Sequence, residues 1–243
     1  MIGFGIDLAG YTTGKTAIAA IEAKGHVGEA ILLRQSHLSL PRSSTCEAAT
    51  AVRDDVECLR RCLRLGHVAV DVPICLQGLP YPSNPSEIWG LTRRPIDQKL
   101  RAMPPLADRI GAPVARFAAI MRLGNFKGDL GESLFETYPA ATWKRLNIKA
   151  GNYKSKDGKE ARAALCEQLK IRPPIENDDD IDAVICAATA AAPDENICTK
   201  DDLALDIGEL PRGFRLLKAR PFESIYVTCA NFDEWLAVCE KCK

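Results

Sequence analysis

Alternation of apolar and polar residues predicts three strands at the amino end of the chain. Residues 2–8, IGFGIDL, place large apolar side chains on one face and two glycines with Asp7 on the other. Residues 15–23 and 26–34 predict two further strands joined by a tight hairpin turn. The chain therefore opens with three strands that follow one another directly.

A long amphipathic segment then predicts the first helix, from about residue 45 to 65. The apolar run 67–72 has the composition of a strand buried in a parallel sheet. The stretch 73–93 is too long for a routine connection, so we expect it to border a functional site. The glycine- and lysine-rich stretch 149–159 is expected to be exposed and mobile. Later patterns predict helices at 95–102, 113–122, from 140, at 160–169, 178–192 and 232–242, and strands at 133–138 and 224–229.

The order of these elements predicts one α/β domain, with a core at about 1–192 and an extension at about 193–243. A hydrophobic content of 47% allows a sizeable core. The first long helix is a crossover that returns the chain to a parallel strand. If the first and fourth strands are neighbours, the sheet order reverses there and a ligand is expected at their carboxyl ends.

Charge and cysteine content describe the setting in which the protein works. Lys plus Arg and Asp plus Glu each number 32, so no net charge draws the chain towards nucleic acid or an anionic membrane. Because no signal-type segment or membrane-spanning run is evident, we expect a cytoplasmic protein without membrane association. Its 10 cysteines are then expected to be reduced. The C-x-x-C of Cys239 and Cys242 lacks the further ligands of a tetrahedral zinc site.

Four acidic residues stand in apolar surroundings, where an unpaired charge is costly. Asp7 and Asp71 lie near the ends of predicted strands, and Glu136 alternates with apolar residues in another. Asp182 lies inside an apolar helical run and shares a face with Asp179 and with small residues. Those small residues would let the helix approach the sheet closely and carry Asp182 towards the strand ends.

Each acid also has a structural interpretation. Asp7 and Asp71 are of a type that caps turns after strands, and Glu136 is suited to a pair with a nearby Arg or Lys. If the acids converge instead, they raise each other's pKa unless a cation lies among them. Magnesium or manganese suits carboxylate oxygens, and two such ions about 4 Å apart can activate water and stabilise a leaving oxygen. The pattern therefore predicts metal-assisted phosphoryl chemistry.

Several segments, in chain order, carry a resemblance to a known family. They are GIDLAG with the following TGKT, VAVDVP, RRPIDQKLR, ETYPAATWKRL, the pair Tyr153–Lys154, and DDDIDAVICAATAA. Over about residues 2–192 the chain resembles the uncharacterised family of predicted RNase H-like nucleases. The resemblance implies an RNase H-like sheet of five strands in the order 3-2-1-4-5, with strand 2 antiparallel, and an acidic metal centre.

The resemblance also implies roles for individual residues in nucleic acid hydrolysis. Asp7, Asp71, Glu136 and Asp182 would be catalytic, and Asp7, Asp71, Asp179 and Asp182 would hold Mg²⁺ or Mn²⁺. A solvated surface is an equally good interpretation of each nearby cation, but phosphate contacts would make binding weaken steeply with salt. The candidates for substrate contact are Lys15, Arg93, Arg94, Lys99, Arg101 and Lys154.

Other classes of function remain open. AGYTTGKT is close to the phosphate loop of nucleotide hydrolases and kinases, but Ala9 stands at the first glycine and such a loop opens a helix. An actin-like ATPase also begins with a strand, an aspartate and a glycine-containing hairpin, although no second such hairpin is evident. A catalytically silent binding module on the same fold is a further alternative. The leading hypothesis is a metal-dependent nuclease built around Asp7, Asp71 and Asp182.

Overall fold

The structure is a computed structural model, and part of the chain lies outside the residues it describes. The hairpin loop with Lys15, most of the stretch 73–93, and Cys239 with Cys242 are in that part. For residues 24, 27–34 and 45–50 only the backbone is described. The described residues are 1–10, 16–24, 27–34, 45–75, 93–105, 108–205 and 210–228, with 234, 235, 237 and 241.

A mixed sheet of seven strands forms the centre of the described fold, in the order β5-β4-β1-β2-β3-β7-β6. Strand β2 is antiparallel to both of its neighbours, and the remaining strand pairs are all parallel. The strands are β1 (Ile2–Asp7), β2 (Ala17–Lys24), β3 (Val27–Arg34), β4 (His67–Val70), β5 (Leu134–Glu136), β6 (Ile171–Arg172) and β7 (Ser224–Thr228).

The mixed α/β class is confirmed, and the prediction of a five-stranded sheet is corrected. The order β3-β2-β1-β4-β5 occurs inside a wider sheet, which β7 and β6 continue beyond β3. Strand β7 comes from the extension, and β6 has only two residues, too few to produce a periodic signal in the sequence. The extension therefore takes part in the same sheet as the core.

Helices cover both faces of the sheet. Helix α1 has the predicted bounds, whereas α3 begins several residues before Pro113, which lies inside it instead of at its start. Among the described residues, no helix is both long and apolar enough to cross a membrane. The helices are α1 (Thr45–Leu65), α2 (Pro95–Leu100), α3 (Asp108–Gly124), α4 (Pro139–Arg145), α5 (Lys159–Leu169) and α6 (Asp178–Ala191).

The two faces of β1 pack against different helices. Phe4 and Ile6 belong to a core cluster with apolar residues of α1 and α3. On the other face, a Cβ added at Gly5 would overlap the Ala183 carbonyl and the Ala187 amide of α6. Helix α6 thus lies directly against the backbone of β1, as its small residues predicted, and this close approach brings its acids to the sheet.

Candidate functional site

Asp7 and Asp71 lie side by side at the carboxyl ends of two neighbouring parallel strands. Asp7 is the last residue of β1, and Asp71 directly follows β4. The Asp71 amide donates to the Ile6 carbonyl at 2.9 Å, which extends the pairing of the two strands by one residue. Both side chains are partly buried. The sheet order reverses between these strands, so the acids occupy the place where open α/β sheets bind ligands.

Asp182 comes to the same place from α6 and is fully buried. The Tyr153 hydroxyl donates to its Oδ1 at 2.9 Å, and the Lys154 ammonium lies 2.6 Å from its Oδ2. The indole nitrogen of Trp143 donates to the Tyr153 hydroxyl at 3.1 Å and fixes its position. Two consecutive residues of the segment between α4 and α5 therefore hold the carboxylate of Asp182.

The electrostatics show that the three aspartates form one site, which we call the acidic site. Burial raises the pKa of Asp7 well above its usual range, and repulsion by Asp71 and Asp182 raises it further. For Asp71, burial followed by repulsion from Asp182 raises the pKa from 3.8 to about 7. Burial also raises the pKa of Asp182, although Lys154 opposes that shift. Ionising the whole cluster is therefore costly unless positive charge is present.

Lys154 supplies positive charge to the acidic site. Burial of its ammonium would lower its pKa, but attraction to Asp182 and other neighbours outweighs this and raises the pKa above the usual value. The same charge lowers the pKa of Asp7 and of Asp71. About half of the Lys154 side chain is exposed, so the site remains open to solvent at this residue. Its predicted contact with substrate stays a prediction.

The donor chemistry of the acidic site suits a hard divalent cation, but the ligands are not arranged as a finished metal site. Carboxylates on β1, after β4 and on α6 offer oxygen ligands of the kind that magnesium prefers. Asp179, in the first turn of α6, also raises the pKa of Asp7 and so lies near it. Within the described ranges, however, no three His, Cys, Asp or Glu side chains form a ready metal-binding group. Binding a cation would require side-chain movement.

Glu136 is placed differently from the three aspartates. Both of its oxygens accept hydrogen bonds from Arg94, at 2.6 and 2.9 Å, and Oε2 also accepts one from the Ile74 amide at 2.8 Å. Arg94 donates in addition to both oxygens of Asp97. The interpretation of Glu136 as one half of an ion pair is thus confirmed. Both oxygens are thus engaged in hydrogen bonds, and the predicted catalytic role of Glu136 stays a prediction.

Arg94 is engaged in a similar way. Its side chain is only 3% exposed, and its donors are taken by carboxylates and by the Cys75 carbonyl. Although burial would lower the pKa of the guanidinium, its hydrogen bonds to Asp97 and Glu136 raise it above the usual value. Arg94 therefore ties α2 to β5, and its predicted contact with substrate stays a prediction.

The other predicted cations have different surroundings. Lys15 lies outside the described residues, and Arg93 is half-buried with an Nε that has no hydrogen-bond partner among them. Lys99 and Arg101 lie on an exposed depression together with Lys144 and Arg145, which the sequence reasoning missed. We call these four residues the basic patch. The spacing of Lys144 and Arg145 in α4 gave no signal, because only the fold brings α4 beside α2.

Tyr153 is the most informative residue that sequence reasoning left without a role. The stretch 149–159 was expected to be exposed and mobile, yet Tyr153 is buried with its hydroxyl between Trp143 and Asp182. Burial followed by the charge of Asp182 raises its pKa above the usual value, so the hydroxyl remains a donor. The sequence signal that could have indicated a buried, functional Tyr153 was an aromatic residue beside a lysine in an otherwise polar stretch.

The hairpin bears on the phosphate-loop alternative. Ala17–Lys24 forms strand β2, paired antiparallel with β1, so the segment GKT is followed by a strand and not by a helix. A phosphate loop of the G-x-x-x-x-G-K-[ST] type needs a helix there. That alternative is therefore contradicted by the element that follows the motif.

Comparison with known proteins gives a family match over part of the chain. Residues 107–203 match a family described as "Protein of unknown function (DUF429)", which confirms the resemblance to an uncharacterised family. No curated protein matches the sequence. Among solved structures the chain is similar to Thermus thermophilus RuvC, at 17% identity, covering 77% of this chain and 91% of that one, with a TM-score of 0.41. It is also similar to T. thermophilus RuvC in complex with a Holliday junction substrate, at 14% identity, 77% and 90% coverage, and a TM-score of 0.39.

Proposed function

We propose that the protein is a divalent-cation-dependent nuclease that hydrolyses phosphodiester bonds at the acidic site. The observation that carries the proposal is the convergence of Asp7, Asp71 and Asp182 from three separate elements. Burial raises the pKa of each, and repulsion by neighbouring carboxylates raises that of Asp7 and of Asp71 further. A fold that only needed stability would gain nothing from this repulsion. Clusters of this kind are typical of functional sites.

Asp7, Asp71 and Asp182 would hold Mg²⁺ or Mn²⁺, with Asp179 as a further ligand. When bound, such ions activate water and stabilise the leaving oxygen. Tyr153 and Lys154 orient Asp182, and the close packing of α6 on β1 keeps the carboxylates at a common edge of the sheet. The half-exposed ammonium of Lys154 would draw a substrate phosphate towards that edge.

Nucleic acid is the substrate class that best suits the surrounding surface. The basic patch offers four cations and shares Leu100 with the cavity that reaches Asp71, so the two surfaces adjoin. Lys99 and Arg145 are oriented by hydrogen bonds to the carbonyls of Ala204 and Asp202. A strand running over this patch would place its phosphates near the acidic site, and its binding should weaken as salt rises.

The test is cleavage of a mixed panel of single- and double-stranded DNA and RNA with Mg²⁺ or Mn²⁺ and with a chelator. We expect cleavage by the wild type and no change in Asp54→Asn. Asp7→Asn should lose at least about 100-fold, since altering residues that merely support metal ligands already costs about 10- to 100-fold. Asp54 is an exposed residue of α1 and serves as the matched control. Equal cleavage by wild type and Asp7→Asn would show that the acidic site is not catalytic.

Two other outcomes distinguish the remaining alternatives. ATP turnover that depends on Asp7, without cleavage of any nucleic acid, would favour an actin-like ATPase. Binding of nucleic acid without cleavage under any metal condition would favour a silent binding module on the same fold.

A further inference from the structure

A cavity of about 270 Å³ adjoins the acidic site, and we call it the side cavity. Asp71 lies in the acidic site and also lines the cavity, as does Lys154, which lowers the pKa of Asp71. A molecule that fills the cavity therefore touches the residues that would meet the scissile phosphate. Met103 lies on the wall of the cavity and is 45% exposed, although methionine side chains are often buried. The apolar wall consists of Leu100, Met103, Ile110 and Phe214.

Half of the residues that line the side cavity are polar or charged, and the hydroxyl of one of them has no partner among the described residues. Thr137 lines the cavity and is 2% exposed, yet its hydroxyl makes no hydrogen bond within the described part of the chain. A buried hydroxyl left unpaired is destabilising, and such groups in native proteins usually serve a ligand or a water. Tyr138 lies next to it on the wall and adds a second hydroxyl. The cavity thus combines apolar residues with groups that can form hydrogen bonds.

The size and chemistry suit a single flat heterocycle. A dry cavity of about 150 Å³ accepts benzene, so about 270 Å³ accepts a one- or two-ring base but not a base pair. Enzymes that take a base out of its stack hold it between apolar side chains and contact its edge by hydrogen bonds. We propose that the side cavity binds the base of one unpaired nucleotide adjoining the cleaved phosphate. This inference rests on the proposed function and assigns it a substrate class.

The proposal has a direct consequence for substrate choice. A base in a duplex enters the side cavity only after leaving its partner and its stack, which opposes binding. Single strands, frayed ends and unpaired junction nucleotides avoid that step. The protein is therefore expected to prefer an unpaired strand over a duplex of the same sequence by at least about tenfold.

The first measurement reads binding, independently of any cleavage. Each of the four nucleoside 5′-monophosphates is titrated calorimetrically into the wild type, with inorganic phosphate as the reference. At least one nucleotide is expected to bind about tenfold or more tightly than phosphate, since base stacking adds to phosphate contact. Nucleotides that bind no better than phosphate overturn the proposal.

Three variants locate the bound base. Ala140→Trp fills the side cavity, whereas Ala118→Trp places the same side chain in a separate cavity on α3. Nucleotide binding should be lost in Ala140→Trp and kept in Ala118→Trp. Thr137→Val keeps the shape but removes the unpaired hydroxyl, so it should weaken nucleotide binding severalfold without lowering the unfolding midpoint. Unchanged nucleotide binding in both Ala140→Trp and Thr137→Val overturns the proposal, and the second variant also decides if the first does not fold.

The second measurement separates this proposal from the proposed function. Cleavage of a single strand and of the matching duplex is compared in the wild type and in Thr137→Val. Single-strand cleavage at subsaturating substrate that falls severalfold in Thr137→Val, through a higher KM, supports the side cavity as the base site. Cleavage that depends on Asp7 but shows no strand preference in either protein keeps the nuclease and overturns the base site. Nucleotide binding in the cavity without any cleavage keeps the base site and overturns the nuclease.

Discussion

Replacing Asp71 by asparagine should make the protein more stable at neutral and alkaline pH. Burial and repulsion by Asp182 raise the pKa of Asp71 from 3.8 to about 7 in the native state, whereas the unfolded chain keeps the ordinary value. Because the native pKa is the higher one, the stability linked to this group is complete below about pH 4 and is lost as the pH rises through about 7. Asparagine of nearly the same shape cannot ionise, so it avoids that loss.

The size of the effect follows from the two pKa values. A pKa difference of about three units corresponds to about 4 kcal/mol, since each unit is worth about 1.4 kcal/mol. This is the largest gain expected above pH 8, because the partly exposed carboxylate keeps some contact with water. At pH 5 the carboxyl of residue 71 is ionised in the unfolded wild type but mostly neutral in the native one. The stability advantage of Asp71→Asn at this pH is therefore smaller, about 2 kcal/mol. The advantage of Asp71→Asn should therefore grow with pH.

The assay is urea unfolding of the wild type, Asp71→Asn and the exposed control Asp54→Asn at pH 5 and pH 8. Adding Mg²⁺ at about 100 times its dissociation constant should stabilise the wild type at pH 8 by about 2.7 kcal/mol and stabilise Asp71→Asn much less. A variant no more stable than the wild type at pH 8, or an advantage that does not change with pH, would refute the argument that Asp71 is buried among like charges.

Three further predictions concern the framework of the site. Gly5→Ala should unfold the protein or cost more than about 4 kcal/mol, because the added Cβ overlaps the backbone of α6. Gly128→Ala is the control: its added Cβ meets no atom within 4 Å, so the unfolding midpoint should change little. Glu136→Gln should cost about 3–5 kcal/mol in urea unfolding, because it removes the charge that its buried partner Arg94 faces. If Glu136 acts mainly through this ion pair, cleavage per folded molecule should stay within a few-fold of the wild type, whereas a loss of about 100-fold would support a catalytic role. Arg116→Met should also cost about 3–5 kcal/mol in urea unfolding, since its guanidinium pairs with the buried Asp55 at 2.6 Å; a change below 1 kcal/mol would show that the pair is not essential.

Local sequence patterns were sufficient to predict the strand of Asp7 and the helix of Asp182. The strand of Asp7, the helix at 45–65 and the small-residue face of α6 follow from side-chain periodicity, which is a property of neighbouring residues. The expectation that small residues bring α6 close to the sheet is confirmed at Gly5. The sequence was therefore informative about strands and helices whose formation depends on the periodicity of their own residues.

Partners from distant parts of the chain were not predictable in this way. Glu136 and Asp182 both look like acids in apolar runs, but Arg94 neutralises the first from 42 residues away, whereas Tyr153 holds the second from 29. No periodicity records which cation folds onto which acid. The same limit applies to Thr137, because the absence of a partner among the described residues is visible only once its neighbours are in place.

The position of β7 has a consequence for how the chain is made. Strand β7 contains some of the last described residues, yet it lies between β3 and β6 and pairs with both. During synthesis, β3 has already emerged while its outer edge still lacks this neighbour, and an unpaired strand edge invites association with other chains. A nascent or truncated chain that ends near residue 192 would carry the acidic residues and an open sheet edge together. The extension thus supplies the strand that pairs with the outer edge of β3 only after most of the chain has been synthesised.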